Sequence, residues 1–245
     1  MCVIAVKPAG VKWPVSRYLK NCYRSNPDGA GIAWVDDDGV HIKKGYFGWK
    51  GLYRDLRVLE PYPVMLHCRI ATHGKINTDN CHPFELSNGV AMAHNGIIDM
   101  EPLEADMTDS ESFGKTYLEQ FSPDELEDPR IQGLVGAAIG HGKMAVLKKD
   151  GGFIIFNEHL GEAFNGLWFS NGSYKDRPYA YGAGYSYPYT TPYRAHGSLV
   201  TAEAAGSAYV YDMSYDDCDE AAYNAWLRSR NSKGVAGEEE IYGEE

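Results

Sequence analysis

The second residue of the chain is a cysteine, in the run Met1-Cys2-Val3-Ile4-Ala5. Methionine aminopeptidases remove an initiating Met when a small residue follows. A chain processed in this way begins with an α-amine and a thiol on one residue. The amine, with an ordinary pKa of roughly 7.7–8.0, accepts a proton near neutrality, and the thiolate is the nucleophilic form of cysteine. Cys2 is therefore a candidate nucleophile that carries its own base. A second concentration of chemistry lies further on. It begins with His67-Cys68-Arg69-Ile70-Ala71-Thr72-His73-Gly74 and continues with His82-Pro83-Phe84. Ala93-His94-Asn95-Gly96 and Thr108-Asp109-Ser110-Glu111 complete it. Taken alone, Asn95-Gly96 reads as a hairpin turn and Asp109 or Ser110 as a helix cap. His67, Cys68, His73, Cys81 and His82 invite comparison with a zinc site. Their spacing fits no usual ligand pattern, and adjacent strand residues such as His67 and Cys68 point to opposite faces, so no metal is expected.

These residues need a scaffold, and the hydrophobic pattern supplies one. Residues 2–6 and Val64–Arg69 read as buried strands, the second running into polar residues; Val90–His94 is another, ending at Asn95-Gly96. Gly31–Val35 and Val40–Lys44 form a hairpin about Asp36-Asp37-Asp38-Gly39. Lys143–Leu147 and Gly152–Phe156 form a second about Lys149-Asp150-Gly151, and Leu167–Asn171 is a last core strand. Helices are expected after Pro14, which would sit in the first turn, over Leu52–Leu59, from Asp109 to about Phe121 and over Asp128–Ile139. Asn26-Pro27-Asp28-Gly29 is a turn signal, with Asp28 a turn residue. From 174 to 198 the chain is rich in Tyr, Gly and Pro and reads as an irregular segment. Residues 199–245 offer one helix, 218–230, and an acidic tail.

Composition narrows the class. The chain has 245 residues, 44% hydrophobic and 23% charged, which suits a globular domain with an appendage. A net charge of −11 disfavours generic nucleic-acid binding. No apolar run is long enough for a transmembrane helix, and the N-terminus does not read as a signal peptide. The five cysteines are odd in number and contain no CxxC, which points to a reduced, cytoplasmic location without a disulfide framework.

In this order, the N-terminal Cys2, His67-x-Arg69-x-Ala71-Thr72-His73-Gly74, His82-Pro83-Phe84, Ala93-His94-Asn95-Gly96 and Thr108-Asp109-Ser110-Glu111 resemble class II glutamine amidotransferases, which are N-terminal-nucleophile hydrolases. The likeness runs from Cys2 to about Asn171. It implies an α+β fold, a four-layer αββα sandwich over residues 1–173, and no cofactor. It implies that Cys2 attacks the side-chain amide of L-glutamine through a γ-glutamyl thioester, with its own amine as base. Asn95 and Gly96 would form the oxyanion hole. Arg69 would grip the substrate carboxylate, for which a guanidinium makes a planar bidentate match, and Asp109 its ammonium. Thr72 and His73 would line the glutamine pocket, while His67, His82 and His94 would pack rather than catalyse. Cys68 stands where many relatives have Thr, and Ile70 where some have Trp. No Gly-rich phosphate loop appears. The expectation is therefore a stand-alone glutaminase-type domain that passes ammonia to a separate synthase. The alternatives are a hydrolase of larger γ-glutamyl amides and a non-catalytic glutamine-binding or scaffold module.

Overall fold

The computed structural model describes residues 2–71 and 75–176. Thr72, His73, most of the Tyr-rich segment, the helix expected over 218–230 and the acidic tail lie outside these residues.

Two antiparallel sheets form the centre of the fold. The first joins β1 (Val3–Lys7), β2 (Ala30–Asp36), β3 (Gly39–Tyr46), β4 (Val64–Cys68), β9 (Glu162–Phe164) and β10 (Leu167–Phe169), in the order β3-β2-β4-β1-β10-β9. The second joins β5 (Phe84–Glu85), β6 (Ala91–Asn95), β7 (Lys143–Leu147) and β8 (Phe153–Phe156) in sequence order. Every pairing is antiparallel. The helices are α1 (Ser16–Ser25), α2 (Trp49–Val58), α3 (Asp109–Thr116) and α4 (Pro129–Ala138). The α+β expectation holds, with two antiparallel sheets flanked by helices.

Strand alternation explains how the layers form. Ile4 and Val6 of β1, Ala33 and Val35 of β2, Met65 of β4 and Trp168 of β10 pack against Ala91 and Ala93 of β6 and Ala145 and Leu147 of β7. The intervening residues Met92, Met144, Val146, Ile154 and Phe156 face the other way. There they pack with Phe113 of α3 and Val135 of α4. With side chains alternating at period two, β6 and β7 are thus buried on both faces, and their sequences are continuous apolar runs. Each fully buried Ile, Met or Phe in these layers contributes about 1.5–3 kcal/mol. Leu19, Cys22 and Tyr23 are the buried side of α1, and Trp49, Leu52 and Leu56 that of α2.

Several boundaries differ from the sequence reading. Helix α1 starts at Ser16, so Pro14 precedes it; the residue before a proline is held extended, and here two further residues pass before the turns begin. The cap of α3 is Thr108, whose hydroxyl accepts from Glu111 N–H at 3.1 Å, rather than Asp109 or Ser110. This helix ends at Thr116 and gives way to a 3₁₀ turn over Leu118–Gln120. Phe113 and Leu118 are both buried, and five residues of α-helix would place them well apart around the axis; the tighter turn brings Leu118 back to the core. The hairpin at Asp36–Gly39 and the one about Lys149-Asp150-Gly151 form as expected. Gly39, at φ +118°, supplies the backbone conformation that the first requires.

Candidate functional site

The strand pairing that buries β1 also gathers the candidate residues at one end of the sheets. Val3 pairs with Cys68, so Cys2 comes opposite Arg69. Continuing each alternation by one residue puts Cys2, Arg69 and Ser170 on the side of the first sheet that faces the second. Asn95, in step with Ala91 and Ala93, faces them from the second sheet.

The contacts agree with that placement. The Ile70 N–H donates to Cys2 Sγ at 3.4 Å, and the thiol lies 3.6 Å from Ile70 O. The side chain of Asn171 donates to Cys2 O at 2.7 Å. Cys2 retains some exposed surface, yet its thiol is closely surrounded. That burial pushes its pKa up, opposed by the Ile70 N–H and by the Arg69 charge.

Arg69 is buried and leaves β4 through a short clasp. Its N–H donates to Gly29 O at 2.8 Å, and Asp28 N–H donates to Arg69 O at 2.9 Å. Its guanidinium donates to Lys75 O at 3.0 Å. Asp28, read from sequence as a turn residue, has a larger part. It is fully buried, and its Oδ2 accepts Ala71 N–H at 2.8 Å, which fixes the segment leaving Arg69.

Asn95 ends β6 and is buried. Its Nδ2 is placed 2.8 Å from Ser170 Oγ, and the same oxygen accepts Ile4 N–H at 2.8 Å. Ser170 therefore ties the end of β6 to the start of β1. Gly96 follows without a positive φ. A Cβ at this position would come 2.8 Å from both Gly142 Cα and His94 Nε2. The glycine is thus required by the close approach of two backbone segments rather than by a left-handed turn.

Asp109 engages the protein through both oxygens. Oδ2 accepts Ile98 N–H at 2.7 Å, which anchors the stretch after Gly96, and Oδ1 accepts Ser110 N–H at 2.8 Å. Beside it, His94 Nδ1 lies 2.9 Å from Ser110 Oγ. Burial pushes the His94 pKa down to about 4, against the pull of the Asp109 charge. Burial pushes His67 down to about 3, with the Arg69 charge adding to it, and holds His82 well below its usual value. The His67 and His82 rings pack at 4.3 Å between centroids. Burial thus disfavours the charged form of all three rings. Among the described residues, neither nitrogen of His82, nor His94 Nε2, nor Asn95 Oδ1 has a hydrogen-bond partner.

The structure thus brings Cys2, Arg69 and Asn95 to one end of the inter-sheet layer, with Gly96 and Asp109 attached through the loop at 96–98. Ser170, Asn171 and Asp28 were missed as parts of this site. For Ser170-Asn171 a signal existed: the pair closes an apolar strand, as Asn95 closes β6 and Arg69 follows β4. Among the described residues no group of three or more His, Cys, Asp or Glu is arranged to hold a metal ion. No described helix is long and apolar enough to cross a membrane.

No known family model matches the chain. Three curated proteins of one name, glutamine–fructose-6-phosphate aminotransferase (isomerizing), are similar to part of it. The Bacillus licheniformis protein is 38% identical over 78 residues, covering 29% of this chain and 12% of that protein. That of Staphylococcus aureus is 38% identical over 94 residues, covering 35% and 15%. That of Geobacillus kaustophilus is 37% identical over 95 residues, covering 36% and 15%. The chain thus matches only 12% to 15% of the length of these relatives. A solved structure of glutamine phosphoribosylpyrophosphate amidotransferase from B. subtilis, complexed with ADP and GMP, aligns with 69% of this chain and 41% of its own. Its TM-score is 0.46 and its identity 16%. Over about a third of its length, 35% to 36%, the chain is homologous to the glutaminase domain of class II glutamine amidotransferases.

Proposed function

We propose that this chain hydrolyses the side-chain amide of L-glutamine, with Cys2 as nucleophile, on a four-layer αββα sandwich of the N-terminal-nucleophile type. The observation that carries the reading is the meeting of Cys2 with the Arg69–Ile70 segment on the same inter-sheet side as Asn95.

Removal of Met1 frees the Cys2 amine. The Cys2 thiol loses its proton as it attacks. The adjacent amine takes that proton while sulfur bonds to the amide carbon. The oxyanion so formed is held by the Asn95 side-chain N–H and the Gly96 backbone N–H. The ammonium of Cys2 returns the proton to the leaving nitrogen, the C–N bond breaks, and ammonia departs. Water then hydrolyses the thioester, giving glutamate and restoring the thiol. Arg69 pairs with the substrate carboxylate and Asp109 with its ammonium, while Thr72 and His73 line the pocket. Two Asp109 oxygens already accept backbone N–H groups, but an ionised carboxylate has about four lone-pair sites, so capacity for the ammonium remains. The ammonia would pass to a separate synthase.

The test is intact mass of the full chain before and after exposure to a diazo-ketone analogue of glutamine, with glutamate and ammonia release measured in parallel. Loss of Met1, one adduct on Cys2 and release abolished by Cys2→Ala are expected. A processed chain that neither takes the label nor releases ammonia from glutamine would rule the reading out.

A further inference from the structure

We infer that Ser170 is the positioning residue that turns the Asn95 amide so that its N–H₂ end faces the reacting carbonyl; the inference rests on the glutaminase reading above. The argument begins with hydrogen-bond accounting around one oxygen. Ser170 Oγ accepts Ile4 N–H at 2.8 Å and lies 2.8 Å from Asn95 Nδ2. With the amide in that sense, Ser170 Oγ receives two hydrogens and its own hydroxyl hydrogen is not directed at Asn95. The other end of the amide, Asn95 Oδ1, is buried and has no partner among the described residues. One buried oxygen is then unmet, at a cost of about 1–3 kcal/mol, and the serine is used only as an acceptor in this contact.

Rotating the amide by half a turn pairs its oxygen with the serine hydroxyl and moves the unmet position to the N–H₂, because oxygen and nitrogen occupy almost the same volume and exchange places. Ser170 Oγ still accepts from Ile4 N–H, and now donates its hydrogen to Asn95 Oδ1. The serine is used as both acceptor and donor, as a buried hydroxyl should be. The Asn95 N–H₂ then takes the former place of Oδ1 and needs an acceptor there. An oxyanion formed at Cys2 is such an acceptor, and its negative charge favours this sense of the amide over the other. Ser170 is itself fixed: it is fully buried, and its N–H donates to Ile4 O at 2.9 Å. The nucleophile's own strand therefore sets the serine, and the serine sets the amide. Asn95 alone, at a strand end with a free terminal torsion, has no such preference.

Steady-state glutamine hydrolysis by the full chain tests this with Ser170→Ala, Ser170→Thr, Asn95→Ala and the double variant Ser170→Ala/Asn95→Ala. Asn95→Ala should lower kcat by about 10²–10³-fold, the usual effect of losing one oxyanion donor. Ser170→Ala should lower kcat by about 10- to 100-fold with KM nearly unchanged, since substrate grip lies with other residues. The double variant should be no slower than Asn95→Ala, because the serine acts only through the asparagine. Ser170→Thr, which retains the hydroxyl, should recover at least part of the rate. Thermal unfolding is followed alongside, and if Ser170→Ala does not fold, Ser170→Cys, a weaker donor, takes its place in the same cycle. Additive losses in the double variant, or an unchanged kcat in a folded Ser170→Ala, would overturn the inference while leaving the glutaminase reading intact. A wild-type chain without glutamine hydrolysis or Cys2 labelling would remove both.

Discussion

The two ends of β1 bury polar groups in opposite ways. At its far end, Lys7 is fully buried, and its Nζ meets Tyr62 O at 2.6 Å, Glu60 O at 2.9 Å, Val11 O at 3.0 Å and Pro8 O at 3.2 Å. The ammonium has three hydrogens and four acceptors, so every one of its hydrogens is used. At the near end, facing the side that carries Cys2, Asn95 Oδ1 is buried and lacks a partner among the described residues. Both ends sit in the same sheet. The saturated end holds two loops together; at the other end one amide oxygen is left without a partner among the described residues. Satisfaction of buried polar groups, more than burial itself, sets the two ends apart.

The contrast can be broken at either end. The largest effect is expected from Cys2→Ala, which should lower glutamine hydrolysis by more than about 10³-fold, as loss of a catalytic nucleophile does, with little change in urea midpoint. Lys7→Met should do the reverse. It removes the donor that four carbonyls share and should cost about 1–3 kcal/mol in urea unfolding, with kcat retained by the folded fraction. A folded Lys7→Met chain with no activity would show that the two ends are not separate.

Next comes pH. Above pH 6.5 the histidine rings are neutral in folded and unfolded chains alike and add no slope. Below it the unfolded chain takes up protons that the folded chain refuses, down to about pH 4 for His94 and about 3 for His67. Stability should therefore fall as pH falls through this window, by at most about 1.4 kcal/mol per pH unit for each ring. Chemical unfolding between pH 7 and 4, in the wild type and in His94→Gln, checks it; the variant should show the shallower slope. Gly96→Ala forces a Cβ against Gly142 and His94, and should cost about 1–3 kcal/mol while slowing turnover. Thr108→Ala removes only the cap of α3 and should cost about 1 kcal/mol in thermal or urea unfolding.

Much of this molecule could be read from the chain. Apolar runs ending in polar residues located β1, β4 and β6, and the residues at their ends were the ones that converge. The two-residue β5 and three-residue β9 carry too few residues for a period to register. Asp28 and Ser170 were not legible as partners of Ala71 and Asn95, because each contact joins segments far apart in sequence and depends on sheet register. The reason for Gly96 was likewise hidden, since Gly142 approaches it from another strand connection. Thr72 and His73 remain proposals.

The small side chains between the sheets have one more consequence. Ala91, Ala93 and Ala145 meet Ile4, Val6 and Ala33 across the interface. They act as a spacer whose thickness sets the gap between the jaw that carries Cys2 and the jaw that carries Asn95. A wedge of one or two methyl groups at Ala93, two residues from Asn95 and touching no substrate, would open that jaw like a shim under a caliper. The reach between Cys2 and Asn95 is gauged from inside the hydrophobic layer.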